Sequence, residues 1–157
     1  MKEALQKSLL FKNFSDAETD SLLSFTKKKT YYAGNILFEP GEKVENIYVV
    51  NYGSVAINVQ TTADENEYIS MISTGQTFGG IQMESEPSLI GARAIEHVEV
   101  FEINITELKA FLDSHPGAAI KFYHALVPHL GKSNYLLFNE AIKYKTAHLK
   151  EHKHAFL

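Results

Sequence analysis

The sequence predicts a mainly β protein in which a rolled antiparallel sheet is flanked by helices, and three observations favour this fold class. Between residues 29 and 103, short apolar runs alternate with glycines and polar turns, which is typical of several short strands. On both sides of this segment, apolar residues recur at helical spacing. The length of 157 residues suits one domain with its own core. We therefore predict a single domain over residues 1–157.

An N-terminal helix is predicted over residues 10–25. Ser15 stands at an N-cap position, and Glu18 follows three residues later, which is the spacing of a capping box. The apolar residues of this helix lie at near-helical spacing: Ala17, Leu22, Leu23 and Phe25. The helix is therefore expected to open at Ser15.

The strands of the roll are predicted from apolar runs over residues 47–50, 55–59 and 98–103. Glycines and polar turns separate these runs, so the strands are short. The polar turn over residues 61–67 is predicted to be a solvated hairpin loop, and contact between this acidic loop and a partner is the alternative.

Two C-terminal helices are predicted over residues 106–150. The first covers residues 107–114 and has Leu108, Phe111 and Leu112 on one side. Pro116 suits the first turn of the second helix, which we expect to run to about residue 150. Pro128 lies inside this helix and is expected to kink it or leave a local break.

The second C-terminal helix carries an apolar seam with a period of nearly seven residues. A helix of about 30 residues extends about 45 Å, which exceeds what a compact domain of this size needs. We therefore predict a homodimer paired through helix 116–150; the alternative is that the stripe packs back on the roll. The seam consists of Ala119, Phe122, Leu126, Leu130, Ser133, Leu137, Ala141 and Tyr144.

Composition argues against several classes of function. A net charge of −4 disfavours a general nucleic-acid-binding surface. Because the chain has no cysteine, it has no disulfide, thiol nucleophile or thiolate-held cluster. No apolar run reaches the roughly 20 residues of a membrane span, and the N-terminus lacks a signal-peptide core. We expect a cytoplasmic protein without membrane contact.

Motifs of catalysis and metal binding are missing from the sequence. There is no Gly-x-Ser-x-Gly elbow, His-Glu-x-x-His pair or Walker-type phosphate loop. His148 and His152 have a spacing that can hold a metal, but a solvated helix end among lysines is the preferred interpretation. We expect a protein that is not an enzyme and holds no metal.

Three segments share their glycines and apolar runs with a known pattern: residues 32–42 (YAGNILFEPGE), 47–55 (IYVVNYGSV) and 74–79 (TGQTFG). Together with residues 77–94, they resemble the cyclic nucleotide-binding domain family, which includes the regulatory domains of catabolite activator protein and of cyclic-AMP-dependent kinase. The likeness extends from about residue 10 to about residue 144. It implies an antiparallel β-roll, also described as a jelly roll or double-stranded β-helix, with an N-terminal helix, a long C-terminal helix and a phosphate-binding cassette at 77–94.

The cassette departs from the family at two positions. The family reads Phe-Gly-Glu, a short helix and then Pro-Arg-Ala-Ala-Thr-Val, and the resemblance implies that Glu holds a ribose hydroxyl and Arg the cyclic phosphate. Here Gly80 stands at the Glu position and Ser88 at the Arg position. Arg93, the single arginine of the chain, is expected to point to the face opposite Ser88. We therefore predict a degenerate cassette that does not bind cyclic AMP tightly.

The resemblance implies a ligand pocket between the cassette and the long helix. The backbone amides at the start of the expected cassette helix would attract an anion without charged side chains. Ser133 and Asn134 match the family's base-contacting pair by position. The predicted pocket residues are Phe78, Gly79, Gly80, Ile81, Gln82, Ser88, Leu89, Ser133 and Asn134.

These expectations lead to two hypotheses of function. The first is a non-enzymatic regulatory module that acts through dimerisation and contact with an unidentified protein partner, without a cofactor. The alternative is a small-ligand sensor that binds cyclic AMP, cyclic GMP or another anionic metabolite in the same pocket. Because the chain ends where catabolite-activator-like regulators begin a helix-turn-helix domain, we expect no DNA binding by this chain.

Overall fold

Two four-stranded antiparallel sheets face each other in a computed structural model of the protein, and helices cover one of them. The structure describes residues 1–60, 66–81, 83 and 87–152, without the side chains of residues 133, 136–138, 140, 141 and 144–152. The described helices are α1 (Lys2–Lys7), α2 (Asp16–Leu23), α3 (Ile105–Ser114) and α4 (Pro116–His152). The described strands are β1 (Thr26–Tyr31), β2 (Ile36–Phe38), β3 (Asn46–Tyr52), β4 (Val55–Gln60), β5 (Asn66–Ile72), β6 (Thr77–Gly79), β7 (Ile90–Ala94) and β8 (Val98–Asn104).

The order of the strands explains how the chain rolls up. The first sheet has the order β1-β8-β3-β6, and the second has the order β2-β7-β4-β5. Strands far apart in sequence become neighbours, as when β1 pairs with β8 from Thr26 opposite Ile103 to Tyr31 opposite Val98. The predicted mainly β fold with flanking helices and a rolled antiparallel sheet is confirmed.

The interior strand β3 of the first sheet is buried on both of its faces. Along β3, Ile47 and Val49 face the helices, whereas Tyr48 and Val50 face the second sheet. Successive side chains of a strand point to opposite faces, so an unbroken apolar run is the pattern expected for a strand covered on both sides. This burial accounts for the continuous run over residues 47–50.

The first sheet therefore separates two hydrophobic clusters. The helix-side core contains Leu5, Leu10, Phe11, Phe14, Leu22, Ile47, Val49, Ile81, Met83, Phe101, Ile103, Ile105, Leu108, Phe111, Leu112, Ala118, Phe122 and Leu126. The roll core contains Tyr31, Phe38, Val44, Tyr48, Val50, Val55, Ile57, Phe78, Ala92, Ala94, Val98 and Val100.

The N-terminal segment differs from its prediction. The capping box is confirmed, since the Glu18 N–H donates to Ser15 Oγ (3.1 Å) and the Ser15 N–H donates to Glu18 Oε1 (2.8 Å). The helix start expected at Ser15 is confirmed, because Ser15 caps α2 and α2 begins at Asp16. The bounds 10–25 are too wide, because α2 ends at Leu23 and a separate α1 lies before it. Ser8 is extended and its hydroxyl donates to the Leu5 carbonyl (2.6 Å), which ends α1.

The C-terminal helices follow their predicted course. Asn104 caps α3 by accepting a hydrogen bond from the Glu107 N–H (3.0 Å), and α4 begins at Pro116 as expected. The helix α4 passes through Pro128 without interruption, so the break that was predicted as an alternative to a kink does not occur. Among the described helices, none combines the length and the apolar character that a bilayer crossing requires.

The predicted dimer seam is wrong over its first half. Phe122 and Leu126 are buried in the helix-side core, and Ala119 and Leu130 pack against it. The alternative, in which the stripe packs back on the roll, is therefore correct for these residues. The remaining seam side chains lie outside the described residues: Ser133, Leu137, Ala141 and Tyr144.

Candidate ligand-binding site

A cavity of about 330 Å³ lies between the second sheet, the segment after β6 and the helix α4. This volume falls within the range of about 300–1,000 Å³ that is typical of small-molecule sites. The buried part of its wall is formed by Val44, Ile57, Thr77, Phe78 and Ile81. Leu89, Lys132 and Asn134 also line it but are exposed, so they form its mouth. The buried wall is thus largely apolar, and the exposed rim combines polar side chains with Leu89.

Most of the predicted pocket residues line this cavity. Seven of them do so: Phe78, Gly79, Gly80, Ile81, Ser88, Leu89 and Asn134. Gln82 and the Ser133 side chain lie outside the described residues. The ligand-binding roles given to all nine stay predictions.

The cassette backbone differs from the expected anion cradle. Among the described residues after β6, Gly80, Ile81 and Met83 are not helical. The Gly80 N–H donates to the Asn46 carbonyl (2.9 Å), and the Ile81 N–H donates to the Gly79 carbonyl (2.8 Å). The amides expected to attract an anion are those of Gly79, Gly80 and Ile81, and the last two already donate hydrogen bonds within the protein. The expectation that a helix starts at these residues is wrong.

A side chain at position 80 would require neighbouring atoms to move. A Cβ atom at this position would meet the Ile105 Cδ1 atom and would lie 3.1 Å from the carbonyl oxygens of both Asn46 and Val44. Ile105 belongs to the helix-side core, so a side chain at position 80 would start toward that core. The preceding Gly79 has φ 96°, a left-handed conformation that favours glycine.

Ser88 is held within its own segment. Its hydroxyl donates to the Ile90 carbonyl (2.8 Å) and accepts from the Ile90 N–H (3.2 Å). Its backbone N–H donates to the Glu42 carbonyl (2.8 Å). The Ser88 hydroxyl hydrogen is therefore not available for a ligand in this arrangement.

Arg93 does not line the cavity. It pairs with Ile36 of β2 and Ala56 of β4 in the middle of the second sheet. Its neighbours Ala92 and Ala94 point into the roll core, so the Arg93 side chain is on the opposite face. The expectation that Arg93 faces away from the cassette agrees with this placement.

Thr77 and His129 join the cavity wall to α4. The Thr77 side chain is 2% exposed, and its Oγ1 has no hydrogen-bond partner among the described residues. The His129 ring bonds the Thr77 backbone carbonyl, and both residues line the cavity. Burial lowers the pKa of His129, and the positive charge of Lys132 lowers it further. The neutral imidazole is thus favoured at the cavity.

Sequence reasoning missed several of the lining residues. His129 was one isolated histidine among seven, and Thr77 was noted only as part of the cassette. Leu9 reaches the cavity from the turn between α1 and α2, and Lys132 from α4. No local motif distinguishes these residues, because only the tertiary fold brings them together.

A metal centre has no support in the part of the chain that the structure describes. Within it, no group of three His, Asp or Glu side chains is placed to hold a metal ion. The side chains of His148 and His152 lie outside the described residues.

The fold and the cavity together define a β-roll domain with a cavity between its second sheet and a long helix. The chain belongs to the cyclic nucleotide-binding domain family, since the sequence pattern of that family matches residues 28–115, which is more than half of the chain. Within this family, the described cavity occupies the region that the sequence resemblance assigned to the ligand.

Solved structures with the same fold include regulators of several kinds. A protein from Ruegeria pomeroyi assigned to cyclic nucleotide binding is 25% identical over 88% of this chain and 62% of its own length, with a TM-score of 0.72. The Thermus thermophilus catabolite activator protein is 21% identical over 85% of this chain and 63% of its own length, with a TM-score of 0.71. The chain thus spans less than two thirds of either protein.

A third similar structure comes from a kinase. A mutant form of the regulatory subunit of a cAMP-independent protein kinase A from Trypanosoma brucei is 14% identical, with a TM-score of 0.70. The likeness covers 89% of this chain and 49% of that one. At such identity the likeness shows the fold alone.

Proposed function

We propose that this chain is a non-enzymatic regulatory module that does not bind cyclic AMP tightly and acts through dimerisation and contact with a protein partner. The family and the similar structures are regulatory, which supports the general class. The Trypanosoma brucei subunit of a cAMP-independent kinase has the same fold, and its solved structure is a triple mutant with cAMP bound in the A site.

The packing at Gly80 is the observation that carries the proposal. Gly80 offers no carboxylate for a ribose hydroxyl, and a side chain there would begin beside Ile105 and two backbone carbonyl oxygens. At the other family position, Ser88 offers no positive charge. Charge-assisted hydrogen bonds are worth about 1.5–3 kcal/mol each, so losing both contacts lowers affinity by several powers of ten, at about 1.4 kcal/mol per decade.

A second copy of the chain is the proposed occupant of the outer face of α4. This helix has 37 residues, and its last described residue in the helix-side core is Leu126. On the face opposite Phe122 and Leu126, a stripe of large apolar residues is 43–67% exposed. We call it the outer stripe; it consists of Ile120, Tyr123, Val127, Tyr135 and Ile142. Its members fall on one side of a 3.6-residue helix, so two copies can pair their stripes about a two-fold axis.

Isothermal titration with cyclic AMP and cyclic GMP tests the binding part of the proposal. We expect no saturable heat up to millimolar nucleotide and no rise in the unfolding temperature. Saturable binding at micromolar nucleotide would contradict the proposal, because it would mean that the cavity compensates for both missing contacts.

Sedimentation of the full chain tests the dimer. We expect the wild type to sediment as a dimer and the Val127→Glu variant to shift toward monomer, because two buried carboxylates would face each other across the stripe. Ile95→Glu is the matched control, since Ile95 is a similarly exposed apolar residue in the turn between β7 and β8. A monomeric wild type, or equal dissociation of both variants, would remove the outer stripe as the interface.

Small-ligand sensing in the cavity is the second candidate function. The observation that favours it is the cavity itself, which has the volume of a ligand site and a largely apolar buried wall. The hydrogen bond between His129 and the Thr77 backbone would couple a displacement of the cavity wall to α4. A ligand that binds two positions of α4 with different affinity would shift their populations.

A further inference from the structure

We propose that the outer face of the second sheet, centred on Arg93, docks a partner protein through an acidic side chain that has apolar neighbours. The inference rests on the proposed function, which requires contact with a protein partner, and it names the surface and the chemistry of that contact. We call this surface the Arg93 face; it consists of Ile36, Tyr68, Met71 and Arg93. Arg93 does not line the cavity, so docking here is independent of a ligand there.

Cross-strand pairing places one row of side chains across the Arg93 face. Arg93 of β7 lies opposite Ile36 of β2 on one side and opposite Ala56 of β4 on the other. Ala56 in turn lies opposite Met71 of β5. Residues directly opposite each other in antiparallel strands share a face. Because both chain neighbours of Arg93 point into the roll core, this row points away from that core.

The guanidinium of Arg93 is not engaged within the part of the chain that the structure describes. No ion pair or side-chain hydrogen bond joins it to another described residue, although Arg93 is partly buried. A guanidinium presents its N–H groups in a planar fork that matches both oxygens of a carboxylate. A carboxylate is therefore the group that best complements this position.

A shallow depression of about 10 Å³ lies beside Arg93. Its floor is Asn58, which is 7% exposed and whose Nδ2 donates to Asn66 Oδ1 (3.0 Å). A volume of this size accommodates about one water-sized group, such as a single carboxylate oxygen. The depression thus suits the tip of a partner's side chain and is too small for a whole metabolite.

Exposed apolar side chains flank the guanidinium. Ile36, Tyr68 and Met71 are 43%, 54% and 57% exposed, and the first two line the depression together with Arg93. Tyrosine, methionine and arginine are enriched at protein–protein interfaces, and tyrosine and arginine often contribute most of the binding energy. A partner segment with apolar residues on both sides of its acidic residue would cover these side chains.

Glu39 is the one acidic residue among the described residues that line the depression. It is exposed and forms no ion pair with Arg93. Its negative charge opposes an incoming carboxylate. Removal of this charge should therefore strengthen docking, which a purely structural role of Arg93 does not predict.

Nuclear magnetic resonance of the full chain tests the docking directly, because the single arginine gives a single guanidinium Nε–H signal. The probes are acetyl-Leu-Asp-Leu-amide and its neutral counterpart acetyl-Leu-Asn-Leu-amide. We expect the Asp peptide to shift the Arg93 signal saturably at millimolar concentration. We expect the Asn peptide to bind about fivefold more weakly, the upper value of an exposed ion pair. No saturable shift of the Arg93 signal, or equal binding of both peptides, would overturn the inference.

Two variants locate the binding, which is then read from the backbone amides of β2 and β7. Arg93→Gln should abolish the preference for the Asp peptide without lowering the unfolding temperature. Glu39→Gln should strengthen binding of the Asp peptide about twofold. Lys27→Gln is the matched control, since it removes an exposed positive charge from β1 of the first sheet and should leave binding unchanged. A preference for the Asp peptide that persists in Arg93→Gln would overturn the inference.

Two other occupants of the Arg93 face would give different results. A free carboxyl terminus would favour acetyl-Leu-Asn-Leu with an unblocked end over the Asp peptide. A second copy of the chain would make the Arg93→Gln variant sediment with a larger share of monomer than the wild type. Either result would overturn the inference.

The cyclic nucleotide titration and the sedimentation of the wild type separate this inference from the proposed function. If the Asp peptide does not bind, but the chain is dimeric and has no affinity for cyclic AMP, the regulatory module stands and only the Arg93 face is overturned. If cyclic AMP binds tightly or the chain is monomeric, the proposed function fails, whereas a saturable shift of the Arg93 signal would still support the docking surface.

Discussion

The helix-side core and the roll core are built on opposite faces of the same sheet, yet they are packed differently. The largest side chains of the helix-side core are fully enclosed, and the rings of Phe11 and Phe122 stack with their centroids 5.7 Å apart. The roll core has its own aromatic stack, with Tyr48 and Phe78 centroids 5.0 Å apart. Phe78 also borders a cavity of about 330 Å³. The cavity also touches the helix-side core at Ile81, but the buried rings of Phe11 and Phe122 do not line it.

We expect the helix-side core to contribute most of the stability and the cavity to serve ligand recognition. Complete packing in the helix-side core makes each buried ring costly to remove, because the surrounding atoms cannot close the gap. The cavity beside the roll core lacks such contacts but offers a volume of about 330 Å³ to a ligand. Substitutions in the two regions should therefore have different effects, and the following experiments test that separation.

The largest effect is expected in the helix-side core. Phe122 is fully buried, so Phe122→Ala should lower the free energy of unfolding by about 3–5 kcal/mol, measured by urea denaturation. Tyr68→Ala is the control, because Tyr68 is 54% exposed on β5; it should cost less than about 1 kcal/mol. A cost at Phe122 no greater than that at Tyr68 would show that the helix-side core is not the main source of stability.

An intermediate effect is expected where the cassette meets the helix-side core. Gly80→Ala should lower the free energy of unfolding by about 1–3 kcal/mol, because its Cβ would crowd Ile105 and two backbone carbonyls. Gly117→Ala, in the first turn of α4 with open space around it, should not destabilise the protein.

The double variant Gly80→Glu/Ser88→Arg should gain no cyclic AMP affinity. Restored nucleotide binding in that variant would show that the cassette backbone can still present a carboxylate to the cavity.

The smallest effect is expected at the cavity edge and depends on pH. The pKa of His129 is lowered by burial and by Lys132, so the unfolded chain binds a proton more readily than the folded one. Neutral His129 stabilises the folded state at pH values above 6.5, the pKa of histidine in the unfolded chain. This contribution to the free energy of unfolding is lost as the pH falls through the lowered pKa of the folded state. We expect the free energy of unfolding, measured by denaturation at several pH values, to fall less steeply toward acid pH in His129→Gln than in the wild type. His124→Gln, at an exposed position of α4, should keep the wild-type pH dependence. An unchanged slope in His129→Gln would assign the pH dependence elsewhere.

Local chemistry made much of the fold predictable. The capping box at Ser15 and Glu18, the start of α4 at Pro116 and the apolar run over residues 47–50 each depend on neighbours in the sequence. The spacing of glycines and apolar runs across the roll was enough to indicate the family.

The sequence could not show which surface covers each face of a long helix. Phe122 and Leu126 have the spacing of a dimer seam, but the same spacing serves a helix that packs on its own domain. For the same reason the outer stripe was not predicted. The resemblance predicted a pocket between the cassette and the long helix, but the contribution of Thr77 and His129 to its wall was not predictable, because they lie far apart in the chain and meet only when α4 packs beside β6.

The short segment after β6 connects the two cores directly. Phe78 is buried in the roll core, whereas Ile81 and Met83 are buried in the helix-side core. Only Gly79 and Gly80 lie between Phe78 and Ile81, so we expect a displacement of one cluster to be transmitted to the other through this segment. The domain is therefore expected to unfold as one cooperative unit, with the amide hydrogens of both layers exchanging with solvent through the same global opening.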